Sequence, residues 1–175
     1  MSILTAGNED FQVSGRTLPP AQYVVTVLDA RLEQTDNGER LTRMYGNIRT
    51  PDGSTELPPV NGGAPFRIGN RKLFARSWLK HTNEQAQSIG NREIKHEAVA
   101  AGLLRKPAKG ETVDINVDEA YAASLVGKDV QVRTKIRVTY RDPQTQQIVK
   151  NPAPEQMDKL ERDEQAEIAA WVVPV

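Results

Sequence analysis

Arg133, Lys135 and Arg137 stand at every second position of the stretch 130–140, between Val130, Val132, Thr134, Ile136, Val138 and Tyr140. Side chains along a β-strand point alternately to opposite faces. The pattern predicts a half-buried strand with Val132, Ile136 and Val138 toward a core and a cationic row toward solvent, continued by Arg141. Residues i and i+2 lie roughly 7 Å apart on one face, comparable to the spacing of successive phosphates in an extended nucleic-acid strand. Such a row can track a polyanion. The same row also suits an ordinary solvated strand, or an edge strand kept from aggregating by its charges.

Binding a single strand needs aromatic planes for the bases as well as cations for the backbone. Aromatic residues are few: two Trp, four Tyr and three Phe. Those interleaved with charge are Tyr45 beside Arg43, and Phe74 and Trp78 around Arg76 and Lys80. Stacking on such rings is worth ~1–3 kcal/mol per base. Each ring can equally be core, and Tyr140 falls on the apolar face of its strand.

Constellations for catalysis are nearly absent. The chain has no cysteine and two histidines, so disulfides, thiolate sites and a nucleophilic thiol are excluded. No Gly-rich phosphate loop and no metal-ligating spacing occurs. Glu93 and Glu97 share one face of a helix at i, i+4, a pair able to hold a metal or share a proton. Arg92 and Lys95 flank them, which favours a solvated helix surface. His81 follows Trp78 and Lys80, a place from which it can contact a phosphate, and an exposed loop histidine is the default expectation. No enzyme, cofactor or metal site is expected.

A net charge of zero conceals segregation. Residues 67–109 carry 10 basic and 3 acidic side chains, and residues 128–150 carry 6 and 2, whereas the last 25 residues carry 2 and 6. This predicts a locally positive surface on a neutral protein. No apolar run approaches 18 residues, so no membrane span is expected. The start of the chain lacks a signal-peptide pattern, and a cytoplasmic setting is the expectation.

The elements that must carry these residues are mostly strands. A nearly continuous apolar run predicts a central strand over 22–32. Asp36-Asn37-Gly38 predicts a tight turn into a return strand over 40–49, with Leu41, Arg43 and Tyr45 on one face and Thr42 and Met44 on the other. Residues 50–65, rich in Pro and Gly, read as a long loop. Residues 71–80 read as a strand, or a strand leading into a helix. A helix ends near Gly102, a short strand is expected over 113–117 and a helical turn over 118–125. Asp142-Pro143-Gln144 predicts a turn, with residues 147–150 pairing back. Residues 1–17 read as a flexible arm, 18–154 as the β domain, and 155–175 as an acidic helix with an apolar tail. That helix rests on the stripe Met157, Leu160, Glu164, Ile168.

The stretches Leu18-Pro19-Pro20-Ala21-Gln22-Tyr23-Val24-Val25, Gly69-Asn70-Arg71-Lys72-Leu73-Phe74-Ala75-Arg76, the segment from Ile94 to Leu103, and Leu125-Val126-Gly127-Lys128-Asp129-Val130, with Asn151-Pro152 closing the domain, carry a resemblance to a family of bacteriophage single-stranded-DNA-binding proteins. It implies an oligonucleotide-binding five-stranded barrel with a helical insertion, and sequence-independent binding of single-stranded DNA in phage replication or recombination, in the host cytoplasm. It adds Arg71 and Lys72 to the expected binding residues Arg43, Tyr45, Phe74, Arg76, Trp78, Lys80, Arg133, Lys135, Arg137 and Arg141. Replication or recombination proteins are the implied partners. The family's flexible acidic tail is replaced here by the apolar end Trp171-Val172-Val173-Pro174-Val175. An apolar end needs cover. It can pack on its own domain, lay its acids over the basic face, or pair with a second subunit, and self-association through Trp171, Val172 and Val173 is the expectation. The alternative function is a phage structural or protein-interaction module on the same β-barrel.

Overall fold

Strand β1 (Gln22–Thr35) alternates between buried and half-exposed residues from Tyr23 to Val27, as a strand with one face on a core must. The computed structural model describes residues 17–59 and 63–174. Contacts among the described residues divide them into two units, one drawn from 19–137 and 166–174 and one from 17–18 and 138–165. The expected arm falls almost wholly on residues 1–16, outside the described residues. Among the described residues no helix is long and apolar enough to cross a membrane.

In the larger unit the Asp36-Asn37 turn closes β1 onto β2 (Gly38–Arg49), and β2 pairs on its other side with β5 (Leu73–His81), all antiparallel. The free edge of β1 pairs with β6 (Asp129–Arg141) from Gln22↔Arg133 to Thr26↔Asp129. Beside β6 runs β8 (Glu161–Trp171), whose continuation is bonded from Val172 N–H to the Gln131 carbonyl at 2.9 Å. Between β2 and β5 the proline-rich loop holds a two-residue ladder, β3 (Glu56–Leu57) with β4 (Phe66–Arg67). The fold class is thus mainly β with an antiparallel sheet, and the described residues do not close it into a barrel.

Two helices follow β5. α1 (Glu84–Ala100) is capped by the Asn83 side chain, which accepts from the Gln85 and Ala86 N–H groups, and it ends before Gly102 at φ +75°, as its sequence predicts. Its Gly90 lies on the backbone of Trp78, where a Cβ would come within 2.2 Å of the Trp78 carbonyl oxygen. Only glycine permits that approach. α2 (Glu119–Leu125) matches the expected helical turn, but residues 113–117 form no strand. The junction of β1, β2 and β6 is tied by Asp129, which accepts from Thr26 Oγ1 at 2.6 Å and pairs with Arg49 at 2.8 Å. The hydrogen bond from Thr26, then Arg49, holds this carboxyl below its ordinary range.

The smaller unit is a hairpin in which Tyr140 and Arg141 pair with β7 (Ile148–Val149), followed by the single turn α3 (Pro154–Met157). Asp142 closes the turn by accepting from the Gln144 and Thr145 N–H groups.

Several expectations are corrected here. Of the segment 155–170 read as an acidic helix, the start lies in the single turn α3 and residues 161–170 belong to the strand β8. A neighbouring strand overrides the helix preference of a Glu- and Ala-rich run. Trp171 is 4% exposed and Val172 and Val173 are half-buried, so the apolar end packs within its own unit and Trp171 is not a free anchor for a second subunit. In β6, Val130, Val132 and Thr134 are buried and Ile136 is half-buried, but Val138 is 36% exposed. The inward phase is lost there.

The largest correction concerns Arg43 and Tyr45. Both are 0% exposed and cannot reach a nucleic acid. Arg43 Nε pairs with Glu97 of α1 at 2.8 Å and donates to Tyr45 Oη at 3.1 Å. Its Nη1 donates to the Leu41 carbonyl at 2.8 Å and to Ser77 Oγ at 3.0 Å. Tyr45 donates to Glu97 Oε2, and Ser77 donates to Glu93 Oε2 at 3.2 Å. The Trp171 ring centroid lies 5.0 Å from the guanidinium carbon. Glu97, read as a solvated helix residue, is likewise 0% exposed.

Removing one member of a fully buried ion pair strands the other charge, which costs about 3–5 kcal/mol. Glu97→Ala is expected to lower stability by that amount in urea unfolding. The double variant Arg43→Met, Glu97→Leu is expected to recover most of the loss, because no charge is left without its partner.

Alkaline pH acts on the same network. Burial raises the phenol pKa of Tyr23, Tyr45 and Tyr121, and the Glu97 carboxylate adds to the shift at Tyr45 and Tyr121. The folded chain therefore holds these protons more tightly than the unfolded chain. The resulting stability is fully present below the unfolded phenol value of about 10 and is lost as pH rises through the raised folded values. The urea midpoint should stay level up to about pH 10 and then fall, and Tyr121→Phe should flatten that fall.

Candidate nucleic-acid interface

The pairing register assigns every side chain of the three strands β1, β2 and β5 to a face. The rows Ala30↔Arg43↔Ala75 and Leu32↔Leu41↔Ser77 point inward. The rows Asp29↔Met44↔Phe74, Arg31↔Thr42↔Arg76 and Glu33↔Arg40↔Trp78 point outward. α1 packs on the inner side through Ile94, Glu97 and Ala98, so the outer face is the one open to solvent.

Along β5 this outer face carries a row. Lys72, just before the strand, has its ammonium over Gly46, where a Cβ would lie 3.1 Å from Nζ. Phe74 follows at 61% exposure. Arg76 is exposed and Trp78 half-buried. Lys72, Arg76 and Lys80 make no ion pair among the described residues. Cation, ring, cation and ring thus alternate at roughly 7 Å steps.

The row changes phase after Trp78. Arg40 pairs with Trp78 but Glu39 pairs with Lys80, so Leu79 is the extra residue of a β-bulge. The bulge takes Lys80 off the row and puts His81 on it. His81 lies edge-on against Trp78, with ring centroids 4.4 Å apart at 60°. Its Nδ1 accepts the Asn83 N–H at 2.8 Å, leaving Nε2 as the nitrogen that can face a ligand. Sequence periodicity could not find His81, because a bulge leaves no signature in the alternation.

On the β1 side of this face the arginines are paired, while Asp29 is exposed. Glu33 pairs with Arg40 at 2.9 Å and with Arg31 at 3.3 Å, and the hydrogen bond from Arg40 holds its carboxyl below the ordinary range. Arg40 also lies 5.6 Å from the Trp78 ring centroid. It is a member of the face that sequence reasoning missed. Arg40 shares its phase with Thr42 and Met44, and that side was not read as the binding face.

The cations of β6 are placed differently. Arg133 is exposed beside Gln22. Lys135 and Arg137 are exposed but approach Glu167 of β8 at 3.3 and 3.7 Å. Part of the cationic row that dominates the sequence is therefore met by an acid of the neighbouring strand. Arg71 is half-buried with its guanidinium 4.4 Å from the Phe66 ring centroid, and burial lowers its pKa. Arg141, in the smaller unit, donates to the Gln146 carbonyl at 2.7 Å.

Of the expected binding residues, the structure gathers Lys72, Phe74, Arg76 and Trp78 in one row. It sets Lys80 one step out of phase, turns Arg71 onto Phe66, and buries Arg43 and Tyr45. Compared with protein-family models and with curated proteins, the chain matches none.

Proposed function

We propose that this protein binds single-stranded DNA without sequence preference, on the outer face of β5. One observation carries the reading: the outward alternation Lys72, Phe74, Arg76, Trp78, in which the two cations make no ion pair among the described residues. Every base has a ring face and every nucleotide a phosphate, so a row of rings and cations holds a strand whatever its sequence. The order of elements supports an oligonucleotide-binding barrel as the parent fold. The antiparallel strands β1, β2 and β5 are followed by a helix, and β6 returns to the free edge of β1. Pairing of β8 with β5 would complete such a barrel. The resemblance to phage proteins fits a role in replication or recombination. The exposure of Phe74 also suits the second reading, a face that docks another protein.

A labelled oligothymidylate titrated by fluorescence anisotropy at several salt concentrations separates the two. Affinity is expected to fall linearly with salt on logarithmic axes. Lys72→Gln with Arg76→Gln should flatten that slope by about 1.4, since each phosphate contact on a single strand contributes about 0.7. Lys135→Gln with Arg137→Gln should flatten it less, because Glu167 already satisfies those side chains. Phe74→Ala and Trp78→Ala should each weaken binding by roughly 5- to 150-fold with the salt slope unchanged. No binding at low salt, or binding that the β5 variants leave intact, overturns the assignment.

A further inference from the structure

We infer that the β5 row engages a strand in steps of two nucleotides: one base on Phe74, the next passed over at Arg76, the third on Trp78 with His81. The inference rests on the reading of β5 as a single-strand face. Pairing with β2 is unbroken from Phe74↔Met44 to Trp78↔Arg40, so the two rings stand four residues apart, roughly 13 Å along the strand. One i to i+2 step, roughly 7 Å, matches one nucleotide of an extended strand. Adjacent bases therefore cannot occupy Phe74 and Trp78 together, and bases two apart can.

The position between the rings belongs to Arg76, a side chain with donors and no base-stacking ring. It meets the backbone of the middle nucleotide, whose base is left without a partner on β5. The far end of the row is set by the bulge. Trp78 and His81 are in contact at 4.4 Å, whereas a base held between two rings needs roughly twice the 3.5–4.0 Å carbon contact distance. The two rings therefore form one subsite, not two. His81 is fixed there by the Asn83 N–H, ahead of the first turn of α1. Lys72 lies beyond Phe74 and meets the next phosphate outward. The shortest strand that engages both rings has three nucleotides.

Trithymidylate titrated into the full chain at low salt, followed by the NMR shifts of β5 amides, tests this without sliding of the ligand. Replacing the middle base by an abasic residue should change the affinity by less than twofold. Replacing either terminal base should lower it by about fivefold or more. Trithymidylate should bind better than dithymidylate, and Phe74→Ala should remove that gain. If the middle abasic residue costs as much as a terminal one, or if the gain survives Phe74→Ala, the two-nucleotide step is wrong while single-strand binding stands. If thymidylates of twenty residues also fail to shift β5, the parent reading falls and this one with it.

Discussion

The Arg43–Glu97 pair is the constraint around which the larger unit is organised. A guanidinium and a carboxylate removed from water are costly unless each is paired and its remaining positions are hydrogen-bonded. That condition is met in large part, with Arg43 Nη2 left without a hydrogen-bond partner among the described residues, by residues from four elements. Leu41 and Tyr45 come from β2, Ser77 from β5, Glu97 and Glu93 from α1, and Trp171 from β8. The geometry is satisfied only when α1 lies across the inner side of β2 and β5 and the end of β8 has reached Arg43. A polar cluster of this kind favours one arrangement of helix and strands over the alternatives that a purely apolar face would tolerate.

Closing the inner face defines the outer one. Period-two alternation means that once Arg43, Tyr45, Ala75 and Ser77 are committed inward, Met44, Phe74, Arg76 and Trp78 must point out. The burial of two residues with binding chemistry and the exposure of two others are one event. What then marks the β5 row is that its cations make no ion pair among the described residues. On the same outer face Arg31 of β1 and Arg40 of β2 share Glu33, and two cations on β6 share Glu167. A paired cation is already satisfied within the protein, and an incoming phosphate must compete for it. Lys72 and Arg76 have no such competitor among the described residues, and this asymmetry concentrates positive potential locally on a neutral chain.

Much of the fold was determined by the amino-acid sequence alone. The apolar runs of β1, the Asp36-Asn37-Gly38 turn, the strand 40–49, the caps of α1 and the alternation that opens β6 are local signals, and local backbone geometry obeys them. The ring and cation spacing at Phe74, Arg76 and Trp78 was also legible, because a strand turns sequence spacing directly into distance. Three things were decided only by tertiary structure. Which face of β2 lies inside depended on Glu97, a partner 54 positions away from Arg43 that no periodicity reveals. The last strand was hidden behind a helix-favouring composition, because pairing with β6 is a property of the neighbour. The change of phase at Leu79, which exchanges Lys80 for His81 on the row, comes from fitting β5 against β2 and leaves no trace in the pattern of residue types. In each case the deciding energy is a contact between residues distant in the chain, and a linear pattern cannot encode it.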